Sequence, residues 1–452
     1  MSKTIDRTQL KSLLGAEELL FQTKHPGSYE LYQRARKSLD GGVPMLWMIR
    51  WAGSFPVFVK SAKGAHFTDV DGNDYIDFCL GDTGAMTGHA PDAAVMAIKA
   101  QIQKGMTLML PYEDVIWVGE ELQRRFGLPC WQFALTATDA NRFALRMARL
   151  ITGHPKILVF NYCYHGSVDE AFITLDEEGT PMSRPNNLGP QIDPLHTSKV
   201  IEFNDIAALE TTLSARDAAA VLAEPVMTNI GIVHPGPGYH DALRELTRKY
   251  GTLLILDETH TICAGPGGYT ALHGLQPDFL TLGKSIAGGV PAAVYGFTAE
   301  VSKAFAAKLV MDDADVGGIG GTLAGNALSV TAMKATLQHI LTNEFYAQAI
   351  QLQEQFTEGV EYVIKEFNLP WIVKRLGNRS EYWFSPTPPR NGGEAHAAVD
   401  PELDRYMHLY SLNRGILMTP FHNMALISPE TNEADVDYHT KIFREAVQSL
   451  FG

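Results

Sequence analysis

The spacing of apolar residues changes several times along the chain, and each change predicts a different kind of element. From about residue 5 to residue 40, leucines recur on one helical face with little Gly or Pro, which predicts helix. The stretch HFTDVDGNDYIDF, residues 66–78, then alternates on both sides of Asp71-Gly72, the pattern of a β-hairpin. The middle of the chain carries short apolar runs separated by helical patterns. They are QFAL (132–135), KILVF (156–160), AAVLAEP (219–225), TLLILDE (252–258), DFLTLGK (278–284) and AAVYGFT (292–298). Strands alternating with helices predict a largely parallel sheet covered on both faces. Such sheets bind ligands at the carboxyl ends of their strands. Thr136 to Asp139, Tyr164, Glu224, Asp257 and Lys284 fall at those ends. Beyond about residue 325 the pattern is helical, then mixed. VKRLGNRSEYWF and ILMTPFHNMALIS predict strands, and TPPRNGGEAHAAVDPE (387–402) predicts a surface loop.

Composition narrows the class. A chain of 452 residues, 45 % hydrophobic and 19 % charged, has enough apolar material for a large core and more than one domain. Its formal net charge of −14 excludes a general nucleic-acid binder, which needs a basic face. Four cysteines with no CxxC pair predict a reducing compartment and no disulfide scaffold. The N-terminal stretch lacks the apolar core of a signal peptide, and no apolar run reaches the length of a membrane span. The expectation is a cytoplasmic protein that handles small molecules, with no metal site, no nucleic acid and no membrane.

Lys284 is the residue that needs explaining. It lies in TLGKSIAGGVP, among small and apolar neighbours, where a buried ammonium is costly unless paired, neutralised or used. Gly283-Lys284-Ser285 copies the end of a phosphate-binding loop, but that motif needs a glycine at position 278, which is Asp278. A Schiff-base lysine and a solvated lysine at a strand end are left. Asp257 closes the apolar strand TLLIL; it reads as a helix cap or as a partner for a protonated pyridine nitrogen. In LTATDANRFALRMARLI, Phe143, Ala144, Met147, Ala148 and Ile151 mark one helical face, and Thr136 and Asp139 have capping-box spacing. That helix starts at a strand end, where free N–H groups favour an anion. Asp139 should therefore turn its carboxylate away. Tyr164 reads as rim packing or as a cover for a flat ring.

Taken together, DVDGNDYIDF, TATDANRFALRMAR, YHGS, AEPVMTN, DETHT, TLGKSIAGG and GGTLAGNAL resemble the class III aminotransferases over nearly the whole chain. The resemblance implies fold type I: a large α/β domain with a mostly parallel seven-stranded sheet sandwiched by helices, and a smaller α+β domain. On this reading residues 1–90 and 331–452 supply the small domain, and residues 91–330 the large one. It also implies pyridoxal 5′-phosphate (PLP) as cofactor. Lys284 then matches the lysine that bonds the cofactor, and Asp257 the partner of its ring nitrogen. Thr259 and Tyr164 match the residues on the two ring faces, and Asn229 a residue near the ring hydroxyl. The backbone of Ala137 and Thr138 matches the phosphate loop. Thr322 matches a threonine that reaches the phosphate of the neighbouring subunit, which implies a homodimer with shared active sites.

The chain departs from the family in two places. The usual SGTEA loop reads TATDA, which is tolerable provided Ala137 does not need positive φ. The arginine that holds a substrate carboxylate in the aminomutase and β-amino-acid branches is replaced by Trp47 or Met48, with Arg50 out of register. A second arginine position falls in MTPFHN, at Phe421. Without arginine forks, carboxylate recognition should weaken. Trp47, Arg50 and Phe421 are the candidate substrate residues. The main expectation is thus a ping-pong transaminase moving an amino group from an amine or a β- or ω-amino acid to a 2-oxo acid such as pyruvate. The competing expectation is an isomerase like glutamate-1-semialdehyde 2,1-aminomutase.

Overall fold

The computed structural model describes residues 5–189, 193–309 and 316–451. The chain divides into two units, one of residues 92–346 and 389–397, the other of residues 1–91, 347–388 and 398–452.

The first unit is built on a seven-stranded sheet. Its strands are β1 Cys130–Ala134, β2 Lys156–Phe160, β3 Ser198–Ile201, β4 Ala218–Ala223, β5 Leu253–Asp257, β6 Phe279–Leu282 and β7 Ala293–Phe297. Their spatial order is β1-β7-β6-β5-β4-β2-β3. Only β7 runs against its neighbours. All residues of β4, β6 and β7 are buried, which is why these strands read as unbroken apolar runs and not as alternation. The expected helix follows β1 as α1, Ala137–Thr152, capped by Thr136. Its stripe of Phe143, Ala144, Met147 and Ala148 packs in one core with Val159, Leu222 and Ile255. β3 escaped prediction: it is a four-residue edge strand containing Lys199, too short for a periodic signal.

In the second unit the expected N-terminal helix is two helices, Arg7–Lys24 and Pro26–Ala35. Pro26 has no N–H for the preceding turn, so the first helix ends and proline takes the opening turn of the next. The hairpin forms as read, His66–Asp69 against Asp74–Asp77, with Val59–Lys63 on one side. The stretch 416–428 holds two short strands that join different sheets. Ile416–Leu417 pairs in parallel with Asp74–Asp77, and Met424–Leu426 pairs with Arg379–Trp383.

One expectation fails outright. Residues 387–402 are not simply a surface loop: Gly392–Ala397 is a short helix with Gly392 and Ala395 buried. A Cβ at position 392 would lie 2.0 Å from the carbonyl oxygen of Asn161, so the glycine permits a close backbone approach rather than a turn.

Candidate active site

The strand ends of the large sheet converge on a cluster of polar side chains. Asp257 is the last residue of β5 and is buried. Its Oδ2 accepts a hydrogen bond from Asn141 Nδ2 (2.8 Å) and pairs with His165 Nδ1 (2.9 Å). Its Oδ1 accepts from the Thr259 N–H (3.0 Å). Burial alone would raise the Asp257 pKa, but the hydrogen bond and charge of His165 outweigh it and hold the acid at about 2. Burial likewise pushes His165 down, and its bond to Asp257 helps lift it to about 10. The pair is therefore a carboxylate and an imidazolium. Glu224, just past β4, differs: burial carries its pKa above the carboxylate range, against the Thr228 N–H and hydroxyl that bond its Oε2.

Lys284 opens a tight turn after β6, with its backbone in the left-handed region at φ 51°. Such a conformation is uncommon for a residue with a side chain and clusters at functional sites. Its Nζ lies 2.7 Å from His260 Nε2. The preceding residue, Gly283, presses against the start of α1: a Cβ there would sit 3.1 Å from Ala137 Cβ and 3.2 Å from its nitrogen. Ala137 itself opens the helix without positive φ, so its replacement of glycine carries no backbone strain. Asp139 joins the helix cap: its carboxylate accepts from the Thr136 hydroxyl (2.9 Å), which in turn accepts from the Asp139 N–H (3.1 Å). Asn141 ties the helix to both strands, through Asp257 on β5 and through the Thr281 hydroxyl on β6 (2.6 Å). The loop after β2 closes on the same turn, where the Ser167 N–H donates to Thr138 Oγ1 (3.0 Å).

The remaining expected residues are more dispersed. Tyr164 is exposed on that loop. Asn229 donates to the Tyr162 carbonyl (2.9 Å). Thr322 is exposed ahead of the helix Ala327–His339. In the other unit, Trp47 lines a mostly apolar cavity of about 470 Å³ with Met48, Trp51 and Phe55. Phe421 packs edge-on to Trp47 at 5.1 Å, whereas Arg50 is exposed and outside the cavity lining.

Sequence reasoning missed His165, His260, Asn141 and Ser285. Asn141 left a signal, because it is three residues before Ala144 on the apolar stripe of α1. A polar residue there must find buried partners. His165 and His260 stood inside quoted motifs without a periodicity to single them out.

The geometry and the family comparison agree. The sequence model "Aminotransferase class-III" matches residues 48–427, and the chain belongs to that family. A glutamate-1-semialdehyde 2,1-aminomutase of Sorangium cellulosum is 33 % identical over 429 residues, 93 % of this chain and 96 % of that one. The solved glutamate-1-semialdehyde aminomutase of Pseudomonas aeruginosa PAO1 is 47 % identical, with a TM-score of 0.97, over 99 % of this chain and 100 % of that one. An omega-transaminase from Sphaerobacter thermophilus is 29 % identical, with a TM-score of 0.85, over 94 % of this chain and 98 % of that one. A variant of the Pseudomonas protein was solved with PMP bound, and the cofactor of the present chain is PLP.

The residues fit that group. The Thr259 and Ser285 hydroxyls and His165 Nε2 are buried without a hydrogen-bond partner among the described residues. Thr259 lies just past the fixed carboxylate and Ser285 directly follows the primary amine in the chain, and α1 starts at a strand end where free N–H groups favour an anion. Among the described residues no group of three or more His, Cys, Asp or Glu could hold a metal ion, and no helix is long and apolar enough to cross a membrane.

These relatives correct the transaminase expectation. It rested on two missing arginines, at Trp47 or Met48 and at Phe421, whose loss removes those ways of holding a carboxylate and leaves other donors untouched. Likeness to aminomutases over more than nine-tenths of the chain outweighs those two positions.

Proposed function

We propose that the protein is a PLP-dependent isomerase of the aminomutase type. It moves an amino group between neighbouring carbons of one substrate, glutamate-1-semialdehyde or a compound of that class. The observation that carries this reading is the likeness to glutamate-1-semialdehyde aminomutases over almost the full length of both chains.

PLP supplies an electron sink for the carbon that bears the amino group. The chain's residues supply the rest. Lys284 bonds the cofactor at rest and, once free, its Nζ takes a proton from the substrate carbon and returns it. Asp257, kept anionic by His165, would pair with the ring nitrogen, and the first-turn N–H groups of Ala137 and Thr138 would hold the phosphate. Thr259 and Tyr164 would cover the two ring faces, Asn229 would reach the ring hydroxyl, and Thr322 would serve the partner's site in a homodimer. A surface rich in exposed apolar side chains supports that assembly: Met96, Ile102, Met106, Met109, Leu110 and Ile116. The four free cysteines suit a reducing, cytoplasmic setting.

The test is to supply glutamate-1-semialdehyde to the cofactor-loaded protein with no other amino donor or acceptor. Its conversion into the isomeric amino ketone, carbon for carbon, is expected. If conversion requires an added 2-oxo acid or amine, the isomerase reading fails.

A further inference from the structure

Equal chain lengths beyond two paired strands create the encounter between Lys284 and His260. β5 and β6 run parallel with Asp257 opposite Thr281. His260 lies three residues past the first and Lys284 three past the second, and the two side chains meet at 2.7 Å. The histidine end is the fixed one. The Thr259 N–H is held by Asp257 Oδ1, the Ile262 N–H by the Glu258 carbonyl (2.9 Å), and the Cys263 N–H by the His260 carbonyl (3.2 Å). A short, rigid imidazole thus anchors a long, flexible lysine.

The chemistry of the partner matters as well. An imidazole nitrogen can donate or accept, so it can hold the amine in either of its protonation states. A lysine that must act as a nucleophile needs its lone pair.

We propose that His260 is a positioning residue for Lys284. It holds Nζ in place as the nucleophile and so speeds bond formation with the cofactor. In that step a C=N bond forms between Nζ and the cofactor's carbonyl carbon, and the carbonyl oxygen leaves as water with two protons from the nitrogen. The inference rests on the reading of Lys284 as the cofactor lysine.

The experiment mixes cofactor-free protein with PLP and follows the visible absorbance that marks the covalent bond. Relative to wild type, His260→Leu should slow the band's appearance by about tenfold or more, the loss of one hydrogen bond to a polar amine. His260→Gln, which keeps a hydrogen-bonding tip, should restore the rate to within about threefold. Pyridoxamine phosphate has no carbonyl, and its affinity should be the same in all three proteins. Equal rates for wild type and His260→Leu overturn the proposal. So does a His260→Gln as slow as the leucine variant, or a parallel loss of pyridoxamine phosphate binding, which would mark a collapsed pocket. If His260→Leu does not fold, His260→Phe replaces it under the same criteria. Lys284→Ala separates the two readings: it should show no covalent band, and a persisting band would remove the lysine assignment independently of His260.

Discussion

A buried carboxylate beside a buried imidazolium is favourable only while both stay charged, and Asp257 and His165 meet that condition over a limited pH range. The depressed pKa of Asp257 adds stability above the unfolded value of about 3.9, lost as pH falls toward its folded value. The raised pKa of His165 adds stability in full below about 6.5, lost as pH rises through its folded value. The contribution is therefore greatest between about pH 4 and 6.5. His165→Leu should cost roughly 3–5 kcal/mol at pH 6 by leaving a buried charge unpaired. Urea denaturation of the cofactor-free protein at pH 6 and pH 9 checks this, and the difference from wild type should narrow at the higher pH. A constant difference would mean that His165 is neutral in the fold. At this scale the sequence was half legible. Asp257 and Lys284 stood out as charges closing apolar strands, whereas the residues that hold them, His165 and His260, are visible only once strand ends are brought together.

The start of α1 shows how elements set the site. Gly283 and Ala137 share one small space, and the chain fills it with a single methyl. Gly283→Ala should destabilise by about 1–3 kcal/mol through overpacking and weaken PLP binding. Adding Ala137→Gly should recover part of that loss, a coupling of about 0.5–3 kcal/mol in a double-mutant cycle read by denaturation. Independent effects of the two substitutions would show that the contact relaxes at no cost. The elements that periodicity announces were legible: the buried strands, the apolar stripe of α1, and the hairpin around Asp71-Gly72. The failures have local causes. β3 is too brief to carry a period, Pro26 divides a continuous helical pattern, and glycine-rich residues 387–402 hide a helix whose glycine serves close approach.

At the scale of the molecule, the adjacent Met109 and Leu110 are 71 and 73 % exposed, which suits a place in the interface of the proposed dimer. Light scattering should give the mass of two chains, and Met109→Asp combined with Leu110→Asp should give one. A dimeric double variant would move the interface elsewhere. The division of the chain has a different consequence. The strand Asp74–Asp77 takes its parallel neighbour from Ile416–Leu417, about 340 residues later. On a ribosome adding roughly 5–20 residues per second, the N-terminal hairpin emerges and then waits about 17–70 s for that partner. The complete β5–β6 pair of the large sheet is already available during that delay. The order of synthesis thus lets the strands of the large sheet pair before the hairpin meets its partner, with the short helix Gly392–Ala397 added to that sheet's unit last.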